Sequence, residues 1–370
     1  MNNFSTRRIL CVNTGGPGNL HGLRMRRLAS GLKAESTCHD LDMSRGRFRA
    51  LGEFHRLLTS SKWDLVYMEG TGISAGLPLI GKAIAHRQKY IVSSGDPIGG
   101  FFAVTKGPLS GALFGIYERL LYRFSAAFIG WTPYLTGAAL TMGAPRAATI
   151  EGAVDLDLFR PFSPAMKLAV RGQYGIPEDA LVCGVVGSLR WTARQSYCYG
   201  LELIEILKRI LRKDVHLLVV GDGDGRARLE AALSDALRPR VIFTGRLPEN
   251  EVVAAMNAMD IGFVTQTLDA LGNFRLTTKL PEYLACGVPV VMSPVPGFFD
   301  YVSPAGWALP PHHPASPEFH AAAAQWLDGL TKTEIEGKKD QARQVSAARF
   351  DYRILEAKFS EFIDRLLDLS

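Results

Sequence analysis

At 370 residues the chain exceeds what one hydrophobic core usually serves, and its 47% apolar content can fill two domains of roughly 150 to 200 residues each. The formal charge of +6 is uneven, because residues 1–160 hold 19 Lys and Arg against 11 Asp and Glu, a surplus of +8 that leaves −2 for the remainder. A basic half can face nucleic acid, anionic lipid or a phosphorylated partner, but no zinc-finger spacing or aromatic-rich strand motif accompanies the charge, so nucleic acid is not expected as a partner. Cys11, Cys38, Cys183, Cys198 and Cys286 show no CxxC or Cys/His spacing for a metal, and reduced cytosolic thiols are the plain reading.

Taken from the start, MNNFSTRRILCVNT offers only a short apolar run, Ile9 to Val12, too short for a signal peptide, which predicts a cytoplasmic protein. Short apolar runs at 9–14, 65–69, 90–94, 126–132 and 148–154 alternate with helix-like segments and read as a parallel βαβ sheet. The charge-free stretch from Phe124 to Pro145 contains Gly130, Pro133 and Gly137 and reads as buried strand, turn and helix rather than a membrane span. Within 110–124, Leu113, Tyr117, Leu120, Leu121 and Phe124 share one helical face with Arg119 and Arg123 beside it, predicting packing on the sheet or contact with a membrane surface. The DLDLFRPFSP segment at 155–164 suits a linker, and a second series of runs follows at 181–188, 215–223, 240–245, 260–265 and 288–293. The expected fold is α/β: two doubly wound, Rossmann-like parallel sheets over 1–160 and 161–350, facing a cleft, with a closing helix over 351–370 that packs back towards the first domain.

In such sheets ligands bind outside the carboxyl ends of the strands. After the first run, Gly15 and Gly16 let backbone amides approach a phosphate, or form a tight turn needing positive φ. The VVGDGDG run at 219–225 fails the dinucleotide spacing, since Arg226 stands at the third glycine position, so a nicotinamide cofactor is disfavoured and Gly221, Asp222 and Gly223 read either as a turn that approaches a nucleobase or ribose or as a structural turn only. The segment LTTKLPEYLACGVPVV, 276–291, carries the strongest signal. Thr277 and Thr278 stand near a helix start whose amides favour an anion, Lys279 adds a charge, and Glu282 one turn deeper can accept hydrogen bonds from ribose hydroxyls. The plainer alternative is a capped helix with Glu282 complementing its dipole. On the acceptor side Asp96, Glu69 and His21 follow strand ends, with Asp96 ranked first.

The ordered motifs VVGSLR, HLLVVGDG, VIFTGRL, AMDIGFV and KLPEYLACGVPVV, preceded by EGAVDLDLFRP at 151–161, resemble the retaining glycosyltransferases of family 4, also called glycosyl transferases group 1, with the GT-B fold. The resemblance covers nearly the whole chain. It implies that Glu282 matches the second glutamate of the family's EX7E motif, on the donor ribose, and that Arg190 matches the arginine neutralising the diphosphate leaving group. It also puts Arg246 and Leu247, after Gly245, beside the nucleobase. Two departures stand out: Phe274 occupies the first glutamate position, and Tyr199 replaces the usual lysine, leaving Arg194 or Lys279 to supply the second charge. The implied activity is transfer of a hexose-type sugar from a UDP- or GDP-linked donor to a saccharide or lipid-linked acceptor, with retention, no cofactor and no metal, and a peripheral membrane contact through the basic half. A noncatalytic glycosyltransferase-like subunit and a nucleotide-sugar epimerase are the competing readings.

Overall fold

The computed structural model describes residues 7–368, so Met1–Thr6, part of the stretch examined for a leader, lies outside the described residues. The chain forms two compact units. The first takes the chain through Ala153, together with Phe274–Leu276 and the chain from Tyr352 onward; the second takes Val154–Asn273 and Thr277–Asp351.

The first unit is built on a six-stranded sheet of β1 (Arg8–Asn13), β2 (Glu35–Asp40), β3 (Leu65–Glu69), β4 (Tyr90–Ser94), β5 (Ala127–Gly130) and β6 (Ala147–Thr149), in the order β2-β1-β3-β4-β5-β6. Every pairing is parallel. Helices therefore cover both faces, and the strands are apolar runs rather than alternating ones. One face packs Leu10, Val12, Val66, Met68, Val92 and Phe128 against Phe54, Leu79 and Leu121. The other packs Ile9, Cys11, Leu65, Tyr67, Ile91 and Ile129 against Met25 and Leu28 and against Leu355, Phe359 and Ile363 of the closing helix Tyr352–Asp368. Phe124–Pro145 supplies β5 and the helix Pro133–Thr141, whose N-cap Thr132 accepts from the Leu135 amide.

Helix Pro108–Arg123 corrects one expectation. It buries Gly111, Tyr117, Glu118, Leu121 and Tyr122, and it leaves Leu113, Leu120 and Phe124 exposed. The reason is Glu118, whose carboxylate accepts from the Ile98 and Gly99 amides at 3.0 Å each and from the Tyr122 hydroxyl at 2.9 Å. It satisfies the free N–H groups of helix Ile98–Lys106, which its own N-cap Pro97 cannot do, and this turns the helix by its acidic rather than its leucine face.

The second unit repeats the plan with β7 (Leu181–Val186), β8 (Val215–Val220), β9 (Val241–Gly245), β10 (Ile261–Val264), β11 (Val290–Met292) and β12 (Gly306–Ala308), ordered β12-β11-β10-β7-β8-β9. A register shift at Val219/Val220 marks the end of the β8–β9 ladder. All five cysteines are free. No helix among the described residues is long and apolar enough to cross a membrane.

Candidate functional site

In the second unit the strand order reverses between β10 and β7, so the crevice for a ligand lies at the loops that leave the carboxyl ends of those two strands. The loop after β7, residues 187–200, is fastened to the loop after β8 by backbone bonds: Leu189 N donates to Asp222 O at 3.0 Å and Gly225 N to Leu189 O at 2.9 Å. This close approach explains the glycines. A Cβ on Gly221, whose φ is +133°, would lie 1.8 Å from Gly187 O, and one on Gly223 would lie 2.5 Å from Leu189 C. Gly221 and Gly223 thus hold two loops together, and Asp222 bonds the Gly223 amide at 2.8 Å. The backbone geometry accounts for both glycines of the GDG turn.

The loop after β7 is tied to the loop after β10 as well. Gln195 Nε2 donates to Asp269 at 3.4 Å, and the Tyr197 and Thr265 hydroxyls lie 3.2 Å apart. Beneath them Thr265 donates to Glu202 Oε1 at 2.7 Å, while Glu202 Oε2 accepts from the Gly200 amide at 3.0 Å. Burial pushes the Glu202 carboxyl upward, partly offset by these hydrogen bonds. Glu202 is a site-shaping residue that the sequence reading missed, because ELIEIL reads only as an amphipathic helix. On the same loop, Arg190 and Arg194 are exposed and have no ion-pair partner among the described residues.

Helix Lys279–Ala285 follows the loop after β10. Thr278 stands at its N-cap in the helical region without a side-chain capping bond, and Thr277 Oγ1 receives the Lys279 amide at 3.4 Å. The capping reading therefore falls to Thr277 rather than Thr278. Lys279 Nζ holds both oxygens of Glu282, at 2.8 and 2.6 Å. Glu282 is buried, and burial raises its pKa; Lys279 opposes that rise, while Glu249 adds to it. Lys279 is thus paired within its own helix. Arg246, after β9, is exposed and Leu247 half-buried.

The remaining candidates belong to the first unit. Gly15 donates its amide to Asn13 Oδ1 at 2.9 Å, and Asn13 Nδ2 in turn reaches Gly16 O, Asn19 and Asp40 at 2.8–3.0 Å. A Cβ on Gly15 would sit 1.8 Å from Asn19 Nδ2, and Gly16 has φ +94°. This is the tight turn of the two readings, and the Gly15 amide is engaged inside it. Asp96 is paired with Arg275 at 3.0 Å, so its carboxylate is held rather than free. Phe274 packs on the first unit's core, and its carbonyl accepts from Thr132 at 2.7 Å. Among the described residues no group of three or more His, Cys, Asp or Glu side chains could hold a metal ion.

Residues 180–328, which carry this switch point, match the family described as Glycosyl transferases group 1. That stretch is what this chain shares with the group 1 family. The chain is similar to a 2-deoxystreptamine glucosyltransferase of Streptomyces kanamyceticus, 32% identical over 171 residues, which are 45% of this chain and 42% of the relative. A GDP-mannose-dependent alpha-mannosyltransferase of Mycobacterium tuberculosis (strain CDC 1551 / Oshkosh) is 26% identical over 205 residues, 55% of this chain and 48% of that protein. The chain therefore spans less than half the length of these curated relatives. Among solved structures, Anabaena HepE in complex with UDP and glucose superposes with a TM-score of 0.74 at 18% identity, over 97% of this chain and 100% of that one. Sucrose-phosphate synthase from Thermosynechococcus elongatus gives 0.74 at 17% identity, over 98% and 100%. Around the stretch shared with the group 1 family, the whole chain thus has the two-sheet GT-B fold.

Proposed function

We propose that this protein transfers a hexose-type sugar from a UDP- or GDP-linked donor to a saccharide or lipid-linked acceptor, with retention. The observation that carries the reading is the second unit's switch point, where Arg190 and Arg194 stand exposed, without an ion-pair partner among the described residues, on a loop braced by Glu202. Sugar transfer leaves two negative charges on the nucleoside diphosphate, and cations fixed beside the crevice stabilise that charge as it develops. Glu282 is the ribose partner: an ionised carboxylate has about four acceptor positions, so hydroxyls can bind beside Lys279. The HepE complex with UDP and the GDP-mannose dependence of the mycobacterial relative support the two bases named. Tyr199 and Phe274 motivate the noncatalytic alternative. A melting and calorimetric panel of UDP, GDP, ADP, CMP and NAD decides between them, because a ligand selective for the folded state at about 100 times its Kd adds about 2.7 kcal/mol. Stabilisation by one nucleoside diphosphate is expected; silence towards all five removes the transferase reading.

The acceptor side includes a membrane surface. Leu109, Leu113, Ile116 and Leu120 are 78, 61, 60 and 41% exposed and form a stripe along helix Pro108–Arg123, flanked by exposed Lys106, Arg119 and Arg123. An apolar stripe edged with cations suits an anionic lipid surface, where each base contributes about 1 kcal/mol. The protein is expected to sediment with phosphatidylserine vesicles at low salt, less so at high salt, and Ile116→Glu should abolish this. No binding at low salt rules the surface out.

A further inference from the structure

The first unit has its own reversal of strand order, between β1 and β3, and a second crevice outside the carboxyl ends of those strands. Two side chains meet there. His21 stands in the first turn of helix Leu20–Ser30, which follows β1, and Glu69 is the last residue of β3. His21 Nδ1 lies 3.6 Å from Glu69 Oε1. Both atoms are buried, and neither has a hydrogen-bond partner at ordinary distance among the described residues.

The surroundings hold this pair in place. Arg24 Nη1 donates to Glu69 Oε2 at 3.0 Å, and the Tyr67 hydroxyl donates to the same oxygen. Arg24 Nη2 is fixed by the carbonyls of Ile150 at 2.7 Å and Glu151 at 3.1 Å, and its guanidinium lies 4.8 Å from the Trp131 ring centre. Trp131 packs against the His21 ring at 5.3 Å. Burial alone would raise the Glu69 pKa; Arg24, His21 and Tyr67 together reverse that and keep the group ionised. A carboxylate oxygen can only accept, so the Nδ1–H tautomer is the one that presents a donor to Glu69, and in that tautomer Nε2 keeps its lone pair. The His21 side chain is 38% exposed although Nδ1 is buried, so its open part lies away from Glu69.

Arg24 already satisfies the charge of Glu69, so the second oxygen and the imidazole turned towards it are not needed to neutralise the core. Asp96, by contrast, is held by Arg275. We propose that His21 is the acceptor-binding residue, its Nε2 accepting a hydrogen bond from a hydroxyl of the sugar-accepting substrate, and that Glu69 is a positioning residue that fixes the ring. This rests on the glycosyl-transfer reading above.

The test uses full-length protein with ¹⁵N-labelled histidine, the His21 signals being assigned by their loss in His21→Ala, and methyl α-D-glucopyranoside as the hydroxyl probe. His21 is expected in the Nδ1–H tautomer, its Nε2 signal moving as the probe is added. In Glu69→Gln the tautomer preference is expected to relax. His21→Ala, a change at a part-exposed position, should keep nucleoside diphosphate affinity within about twofold. An Nε2–H tautomer in the wild type, or an Nε2 signal indifferent to the probe, overturns the proposal whatever nucleotides do. Should Glu69→Gln fail to fold, the wild-type tautomer and probe response still decide. If the tautomer and response are as expected but no nucleotide binds, the transferase reading fails while the hydroxyl site stands.

Discussion

Glu282 is the residue we propose for the donor ribose, and its environment makes the consequence of removing it specific. Its carboxylate is buried and shared with Lys279 through two short bonds, so Glu282→Ala removes the ribose acceptor and strands an ammonium group. Nucleotide affinity is expected to fall by about 1 to 3 kcal/mol, the cost of an unmade hydrogen bond to a charged group. Calorimetry against the preferred nucleoside diphosphate checks this, with the far-ultraviolet melting curve as the folding control; unchanged affinity in a folded variant would sink the assignment. Some of the site was legible from the chain because KLPEYLACG packs a cation, a carboxylate and a helix start into one segment. Glu202 was not, since its chemistry depends on Thr265, 63 positions away. The Lys279–Glu282 pair was hidden too: a three-residue spacing permits an ion pair but does not reveal whether a ligand or a neighbour takes the charge.

Between elements, the contact with the most to lose is that of helix Pro164–Gln173 against the start of β10. Asp260 there receives Lys167 at 2.7 Å, Arg171 at 2.6 Å and the Val182 amide at 2.8 Å. Burial pushes its carboxyl up, yet Lys167, Arg171 and the amide outweigh that and leave the pKa below the ordinary carboxylate range. Asp260→Asn leaves two cations in a poorly solvated place and is expected to cost about 3 to 5 kcal/mol by denaturant titration. Because the folded pKa is depressed, the wild-type contribution is full above the unfolded value near 3.9 and is lost as pH falls towards the folded value; the Asn variant should therefore show a flatter acid limb. Nine of the ten apolar runs named from the sequence became strands, since parallel strands covered on both faces are apolar throughout, while 148–154 shares only Ala148 and Thr149 with the half-buried β6. The two that escaped are edges: β2 reads ESTCHD, with one side open, and β12 has three residues. Helix Pro108–Arg123 was read by its leucines, and the deciding residue was Glu118, whose partners are amides of another helix.

For the whole molecule, the decisive fact is that the first unit is not continuous in sequence. Leu355, Phe359, Ile363, Leu366 and Leu367 of helix Tyr352–Asp368 are buried in its core beside β1 and β3. At about 1.5 to 3 kcal/mol per large apolar side chain, these five together carry about 8 to 15 kcal/mol, comparable with the entire net stability of a domain. A chain ended at Asp351 is expected to lose the first unit and keep the second, so that limited proteolysis leaves a protected fragment beginning near Val154. Survival of fragments from both units would contradict this. The same arrangement sets an order of events at the ribosome. The polypeptide emerges from its amino end, so the residues of β1 to β6 are outside the tunnel long before the helix that closes their second face has been made. The first unit, whose sheet is translated first, is completed only when that helix emerges, and until then its apolar face is the surface a chaperone would have to shield.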